Sequence, residues 1–329
     1  MHHASLDREG MRALRYAGGA VRLERGWPVP VPARGEALIR VTLAGVCATD
    51  LAILGGYAGF DGTLGHEFTG RVIAAPDAPE WVDLRVVGGI NVACGACPAC
   101  LRWERSHCEQ RRVIGIRGRD GAFADFLILP VANLHPVPDG VSDRRAVFVE
   151  PLAAALEILE QTHLRPSDRV VVVGDGRLGL LVAQVLALTG CEIRVIGRHS
   201  RKLGILAARG IPVHAGETVD LSGWADLVVA CGGGREGLAL ARRLVRPRGR
   251  LVVKSTLPEP APFDFASLVV DEITLVGSRC GPFPAALRLL AAGVVEVEPL
   301  IDAVFSLEQG VEALACAAGP GTLKILIQP

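Results

Sequence analysis

From Met11 to about Pro136, short runs such as Leu38-Ile39-Arg40-Val41-Thr42-Leu43 mix apolar and polar positions at a short period, with Gly and Pro clusters between them. A period near two, bounded by turn residues, predicts many short antiparallel strands. After Glu150 the pattern changes. Val170–Val173 is an unbroken β-branched run, followed by a glycine turn and a helical spacing of apolar residues from Leu178 to Leu188. A strand buried on both faces with a helix packed back on it opens a βαβ unit. Further strands are predicted at Glu192–Ile196, Leu227–Ala230, Arg250–Val253 and Ile273–Val276, with helix-length segments between them. That alternation makes an α/β chain with a parallel, doubly wound sheet. An amphipathic helix over Ala285–Ala292 and a last alternating strand through Leu323, Ile325 and Ile327 follow.

Composition narrows the class of partner. The chain has 329 residues, enough for about two domains, and Lys plus Arg balance Asp plus Glu at 35 each. No large basic field is available to attract nucleic acid or anionic lipid, so a small-molecule partner is expected, with no nucleic acid and no membrane. The longest apolar stretch, Val170 to Leu188, is broken by Asp175, Arg177 and Gln184, which argues against a transmembrane span. Met1–Gly10 is polar and lacks the apolar core of a secretory signal, so the expected location is cytoplasmic.

Cys94, Cys97, Cys100 and Cys108 form C-x2-C-x2-C-x7-C. Four thiols at this spacing predict a tetrahedral zinc site in preference to disulfides, since the other five cysteines are scattered and a chain of this length can bury a core without covalent staples. All four positions are filled by protein, so this zinc is structural and the chemistry lies elsewhere.

Gly174-Asp175-Gly176-Arg177-Leu178-Gly179 is G-x-G-x-x-G set between a predicted strand and a predicted helix. In that context the first glycine makes the turn, the second lets backbone approach a pyrophosphate, and the third packs helix on strand. A plain βα turn is the alternative. An NAD site would want an acid near the end of the second strand for the ribose hydroxyls. That segment reads Ile196-Gly197-Arg198-His199-Ser200-Arg201-Lys202, without a carboxylate. Arg198 and Arg201 suit a 2′-phosphate and Gly197 leaves room for one, so NADP is the expected cofactor with NAD possible. A solvated basic turn is the competing explanation.

Three further segments, Gly45-Val46-Cys47-Ala48-Thr49-Asp50, Gly65-His66-Glu67 and Glu150-Pro151-Leu152-Ala153, are each unremarkable alone. With the cysteine lobe and the glycine loop, in this order, they resemble the zinc-dependent medium-chain alcohol dehydrogenase family, and the Glu150-Pro151-Leu152 run is similar to its polyol and sugar dehydrogenase branch. The resemblance implies a GroES-like β catalytic domain over 1–152 with 280–329 returning to it, a Rossmann domain over 153–279, and an active-site zinc in the cleft. It implies Cys47 and His66 as catalytic zinc ligands, Glu67 as an adjacent carboxylate able to ligate or exchange with water, and Glu150 as a further ligand or near-ligand. Thr49 would relay the alcohol proton and Asp50 would orient His66. Lys324 and Ser278 would lie by the cofactor, the first at its pyrophosphate and the second near its nicotinamide. Many relatives carry a histidine where this chain has Ala52. The implied activity is reversible hydride transfer between NAD(P) and an alcohol or carbonyl substrate, secondary, polyhydroxylated or sugar-like, in a homodimer or homotetramer with one catalytic and one structural zinc per chain. A non-catalytic dinucleotide sensor of the same fold is the rival, and a zinc with an open coordination position counts against it.

Overall fold

One end of the long antiparallel ladder in the first half of the chain carries a carboxylate, Glu67. Strand β1 (Glu36–Gly45) pairs with β2 (Glu67–Ala74) in a register that sets Ile39 opposite Val72 and Gly45 opposite Glu67. Helix α1 (Ala48–Leu54) begins three residues after β1 ends. These coordinates are a computed structural model, which describes residues 10–216, 220–256 and 263–329. Of the polar N-terminal stretch considered above, Met1–Glu9 lies outside the described residues.

The chain divides into two units, one running to Glu150 and resuming at Leu287–Pro329, the other spanning Pro151–Ala286. In the first, β1 and β2 belong to a seven-stranded sheet that also takes in the C-terminal strand Lys324–Gln328. That strand pairs antiparallel with β1, Leu326 opposite Gly45, but parallel with Ile301–Ser306. The helix Gly310–Ala317 connects the two strands, and a crossover of that length is what a parallel pair requires. That ladder lies outside Met11–Pro136, where antiparallel strands were expected; within that span Arg112–Ile114 pairs parallel with Gly118–Arg119 and departs from the expectation. Met11, Ala13, Leu38, Ala74, Ala124 and Phe126 form one buried cluster of this unit.

Helix α2 (Val149–Gln161), whose first two residues belong to the first unit, leads into the second unit's β3 (Arg169–Val173), α3 (Arg177–Ala187), β4 (Glu192–Gly197), α4 (Ser200–Ala207), β5 (Val213–Ala215), β6 (Ala225–Ala230), α5 (Gly234–Leu244), β7 (Val245–Val253) and β8 (Thr274–Gly277). The sheet order is β5-β4-β3-β6-β7-β8, all pairs parallel. This is the doubly wound order, reversing direction between its first and fourth strands, β3 and β6. Val170, Val171, Val172, Val228 and Val229 are fully buried, as a sheet covered on both faces demands. The edge strand β5 escapes the sequence pattern because it is only three residues long and lies between Pro212 and Gly216. No helix among the described residues is long and apolar enough to cross a membrane.

Candidate metal centres and dinucleotide site

The pairing of β1 with β2 assembles the first centre. Cys47 follows the end of β1 by two residues, His66 immediately precedes β2, and the register that faces Gly45 to Glu67 carries both into one place. Ligand atoms of Cys47, His66 and Glu67 all lie within 4.8 Å of one another. Cys47 caps α1 in an extended conformation, and its backbone N–H donates to Asp50 Oδ2 at 2.8 Å. The other Asp50 oxygen stands 3.2 Å from His66 Nδ1, both side chains being buried. Asp50 thus ties the helix start with one oxygen and faces the imidazole with the other. Burial works against a charged imidazole, but Asp50 and Cys47 outweigh it and hold His66 well above the ordinary histidine range. Thr49 Oγ1 lies 3.7 Å from Cys47 Sγ. A cysteine–histidine–carboxylate trio, half-buried at Cys47 and buried at His66 and Glu67, fits zinc in an open site.

Glu150 is placed in the first turn of α2 and falls outside that trio. Lys324 lies beside this trio. It is buried at 1% exposure, pairs its Nζ with Glu67 Oε2, donates to Val46 O at 3.3 Å and stands 5.6 Å from the centre of the Phe148 ring. The lysine reaches this spot because it opens the C-terminal strand beside β1, where Ile325 O accepts from Val46 N. A charged residue at the head of an apolar strand was visible in the sequence; its partner was not.

Cys94, Cys97, Cys100 and Cys108 also gather within 4.8 Å and are free thiols. Thiolates bonded to one zinc at about 2.3 Å in a tetrahedron stand about 3.8 Å apart. The Cys97–Cys100 and Cys94–Cys100 sulfurs are at 3.5 and 3.9 Å. Backbone N–H groups point at the sulfurs: Cys97 N donates to Cys94 Sγ at 3.4 Å and Cys94 N to Cys108 Sγ at 3.3 Å. N–H groups of Cys100 and Glu109 draw the Cys97 thiol down to about 6, whereas burial pushes Cys100 up to about 11. A metal would level that difference by taking every thiol as thiolate.

The glycine loop lies between β3 and α3 as expected. A Cβ on Gly179 would stand 2.0 Å from Gly174 O, so helix and turn touch backbone to backbone. Gly232–Gly237 repeats the arrangement between β6 and α5, with Gly232 O again 2.0 Å from a Cβ on Gly237. Arg177 and Leu178 are half-buried at the start of α3, and Gly176 is its N-cap. Arg198 and Arg201 are exposed, but Lys202 is buried and contributes no charge to the outer face of the turn. The room expected over Gly197 is taken: Asp175 fills it, accepting from Arg198 N at 2.8 Å and His199 N at 2.6 Å. His199 Nδ1 also lies 3.0 Å from Asp175 Oδ2. Burial raises the Asp175 carboxyl, yet these donors prevail and leave it below the usual range. Ser278 accepts from Lys254 Nζ at 3.1 Å, and the same ammonium donates to Ala154 O at 2.6 Å and Arg279 O at 3.0 Å. Lys254 was not singled out in the sequence, where it is one lysine after a strand.

Residues 33–139 match the alcohol dehydrogenase GroES-like domain. Over nearly its whole length the chain is also 30% identical to the erythritol/L-threitol dehydrogenase of Mycolicibacterium smegmatis, covering 92% of this chain and 93% of that one. The chain belongs to the zinc-dependent medium-chain alcohol dehydrogenase family. It is an NAD(P)-dependent alcohol oxidoreductase with a GroES-like unit and a Rossmann unit. The sorbitol dehydrogenase of Halalkalibacterium halodurans is 28% identical over 92% of this chain and 94% of its own. Among solved structures, alcohol dehydrogenase TADH from Thermus sp. ATN1 superposes with a TM-score of 0.88 at 30% identity, covering 97% of this chain and 99% of that one. A protein of Sinorhizobium meliloti 1021 described as a zinc-binding dehydrogenase, solved bound to NADP, gives 0.89 at 28% identity, covering 97% and 99%.

Proposed function

We propose that this dehydrogenase oxidises a polyhydroxylated alcohol, a vicinal diol or sugar alcohol, at a zinc held by Cys47, His66 and Glu67 with Glu150 as an exchangeable carboxylate. The gathering of the three donor atoms within 4.8 Å carries the reading. One oxygen of Glu67 is committed to Lys324, which makes this carboxylate a weaker ligand; Glu150 is proposed as the further donor on the family resemblance of Glu150-Pro151-Leu152. Zinc supplies Lewis acidity that lowers the pKa of a hydroxyl at an open position, and NAD(P) supplies the hydride acceptor. The protein's own residues do the rest. Thr49, beside Cys47, accepts the proton that the hydroxyl loses; Asp50 keeps the His66 ring oriented and Nε2 free to ligate. Ala52 offers no side chain to carry that proton further, so it passes from Thr49 to water.

Polyols fit because a carboxylate yields its position to a second substrate hydroxyl more readily than a thiolate does. The relatives just named for sorbitol and for erythritol or threitol support that substrate class. Exposed Arg198 and Arg201 favour NADP over NAD. Cytoplasm suits the chain, because thiols that must remain reduced to hold metal need a reducing compartment. We assign it a homodimer or homotetramer without nucleic-acid or membrane partners. Cofactor reduction followed at 340 nm with simple alcohols, vicinal diols, sugar alcohols and cyclitols, with NAD and with NADP, tests the reading. Polyols should exceed primary alcohols of equal size in kcat/KM; simple primary alcohols as the best substrates would sink it.

A further inference from the structure

In an open parallel sheet of this order, the end of the second strand is where the adenosine ribose is read: a carboxylate there favours a free 2′-hydroxyl, basic groups a 2′-phosphate. Gly197–Lys202, which closes that strand and opens α4 here, contains no acid. In space an acid is present all the same, reached from the first strand's loop. Asp175 is 7% exposed, and its side chain lies so close over Gly197 that a Cβ there would stand 2.5 Å from Asp175 Cβ. Asp175 Oδ2 accepts from the backbone N–H groups of Arg198 and His199, where α4 begins, and His199 Nδ1 closes on the same carboxylate at 3.0 and 3.2 Å. These two N–H groups are the donors an anionic 2′-phosphate would otherwise use.

We infer that Asp175 sets the choice between NAD and NADP in this chain: its fixed carboxylate opposes a 2′-phosphate at a turn where Arg198 and Arg201 attract one. The inference rests on the reading of Gly174–Gly179 as the dinucleotide turn. Gly197 is part of the device, because any side chain at that position would displace the acid. Asparagine in place of Asp175 keeps an oxygen for the two N–H groups and removes the charge. Alanine removes the charge and also releases both donors.

Wild type, Asp175→Asn and Asp175→Ala are compared without alcohol present, by fluorescence titration with NADPH and NADH and by calorimetry with 2′,5′-ADP and 5′-AMP. Both variants should gain about tenfold for the 2′-phosphorylated ligand relative to its unphosphorylated partner, the size of one solvent-screened charge pair, and the gain should shrink as KCl is raised. A ratio that stays constant or falls, or an equal loss for all four ligands, would leave Asp175 as a tie between strands and overturn the inference alone. Wild type that binds none of the four overturns the dinucleotide reading and the inference with it. The alanine variant gives the answer on its own if the asparagine variant does not fold, with thermal unfolding recorded on every sample.

Discussion

At Gly45 a single missing methyl group decides the shape of the first metal centre. A Cβ there would stand 2.8 Å from Glu67 Oε2, so a side chain at position 45 would push that carboxylate oxygen from its place beside Lys324. Taking one partner from a buried pair leaves an uncompensated charge and costs about 3–5 kcal/mol, whereas removing both is far milder. Lys324→Met should therefore lower the unfolding free energy by about that amount, and Lys324→Met with Glu67→Gln should recover most of it. The loss should be larger in metal-free protein, because zinc also compensates Glu67. Denaturant melts of the four combinations measure this, and a neutral single variant would show that the pair is not ionic. Glu150 sits in the first turn of α2, where a carboxylate also complements the helix N-terminus. As a dipole partner it is worth at most about 1 kcal/mol of stability; as a ligand it governs zinc and turnover. Glu150→Gln should reduce zinc occupancy and kcat by orders of magnitude with little change in melting temperature. Unchanged zinc content and kinetics would confine the ligands to Cys47, His66 and Glu67 and remove the chelation argument for polyols.

At the scale of elements, the parallel sheet of the second unit is held at its lower edge by an acid as well as by buried valines. Asp226, on β6, accepts from Arg169 N at 2.7 Å on β3 and pairs with Arg246 at 2.6 Å on β7. Burial raises the Asp226 carboxyl, but these donors outweigh it and hold the pKa below the ordinary value. A carboxyl depressed in the folded state contributes stability above its unfolded pKa of about 4, and that contribution disappears as pH falls. Asp226→Asn should thus cost about 1.5–3 kcal/mol at neutral pH, the range for hydrogen bonds to charged groups, and should flatten the acid limb of stability against pH below about 4. A wild-type slope retained in the variant would place the acid sensitivity in other carboxylates. Strands β3 and β6 were legible because buried parallel strands are apolar, largely β-branched runs with glycine turns after them; β4, β7 and β8 showed as shorter apolar runs, although β8 is mostly exposed. Strand β5 was not legible, since three edge residues carry no period. The parallel ladder between Ile301–Ser306 and Lys324–Gln328 was not legible either, because pairing partners depend on the crossover helix and not on either strand's own pattern. The same holds for the site. Spacing picked out the four-cysteine lobe and the family resemblance pointed to Cys47 and His66, whereas the Lys324–Glu67 and Asp175–His199 pairs join residues 257 and 24 positions apart and arise only from strand order.

Across the whole molecule the two donor sets differ in kind, and their losses should differ accordingly. Cys94, Cys97, Cys100 and Cys108 form a closed set, so metal binding there contributes directly to folding of the lobe between the strands Asn91–Val92 and Arg112–Ile114. The lobe has little else to hold it: Leu101 and Trp103 are 70% and 83% exposed, and its helix Pro98–Leu101 spans four residues. Cys47, His66 and Glu67 are placed instead by sheet register and by Asp50, which persist without metal. Elemental analysis should accordingly give two zinc ions per chain, one for each donor group. Cys97→Ser should lose one zinc and lower the melting temperature, with protease cutting appearing first between Cys94 and Cys108. Cys47→Ser should lose the other zinc and all measurable turnover while melting within a few degrees of wild type. Stepwise chelation offers the same comparison without mutation, because the zinc of an open site exchanges faster than that of a closed one. Activity should then disappear at a lower chelator concentration than the lobe's protease resistance, and return on adding zinc. Loss of both together, or a single zinc in the wild-type protein, would contradict a division of labour between a catalytic and a structural metal.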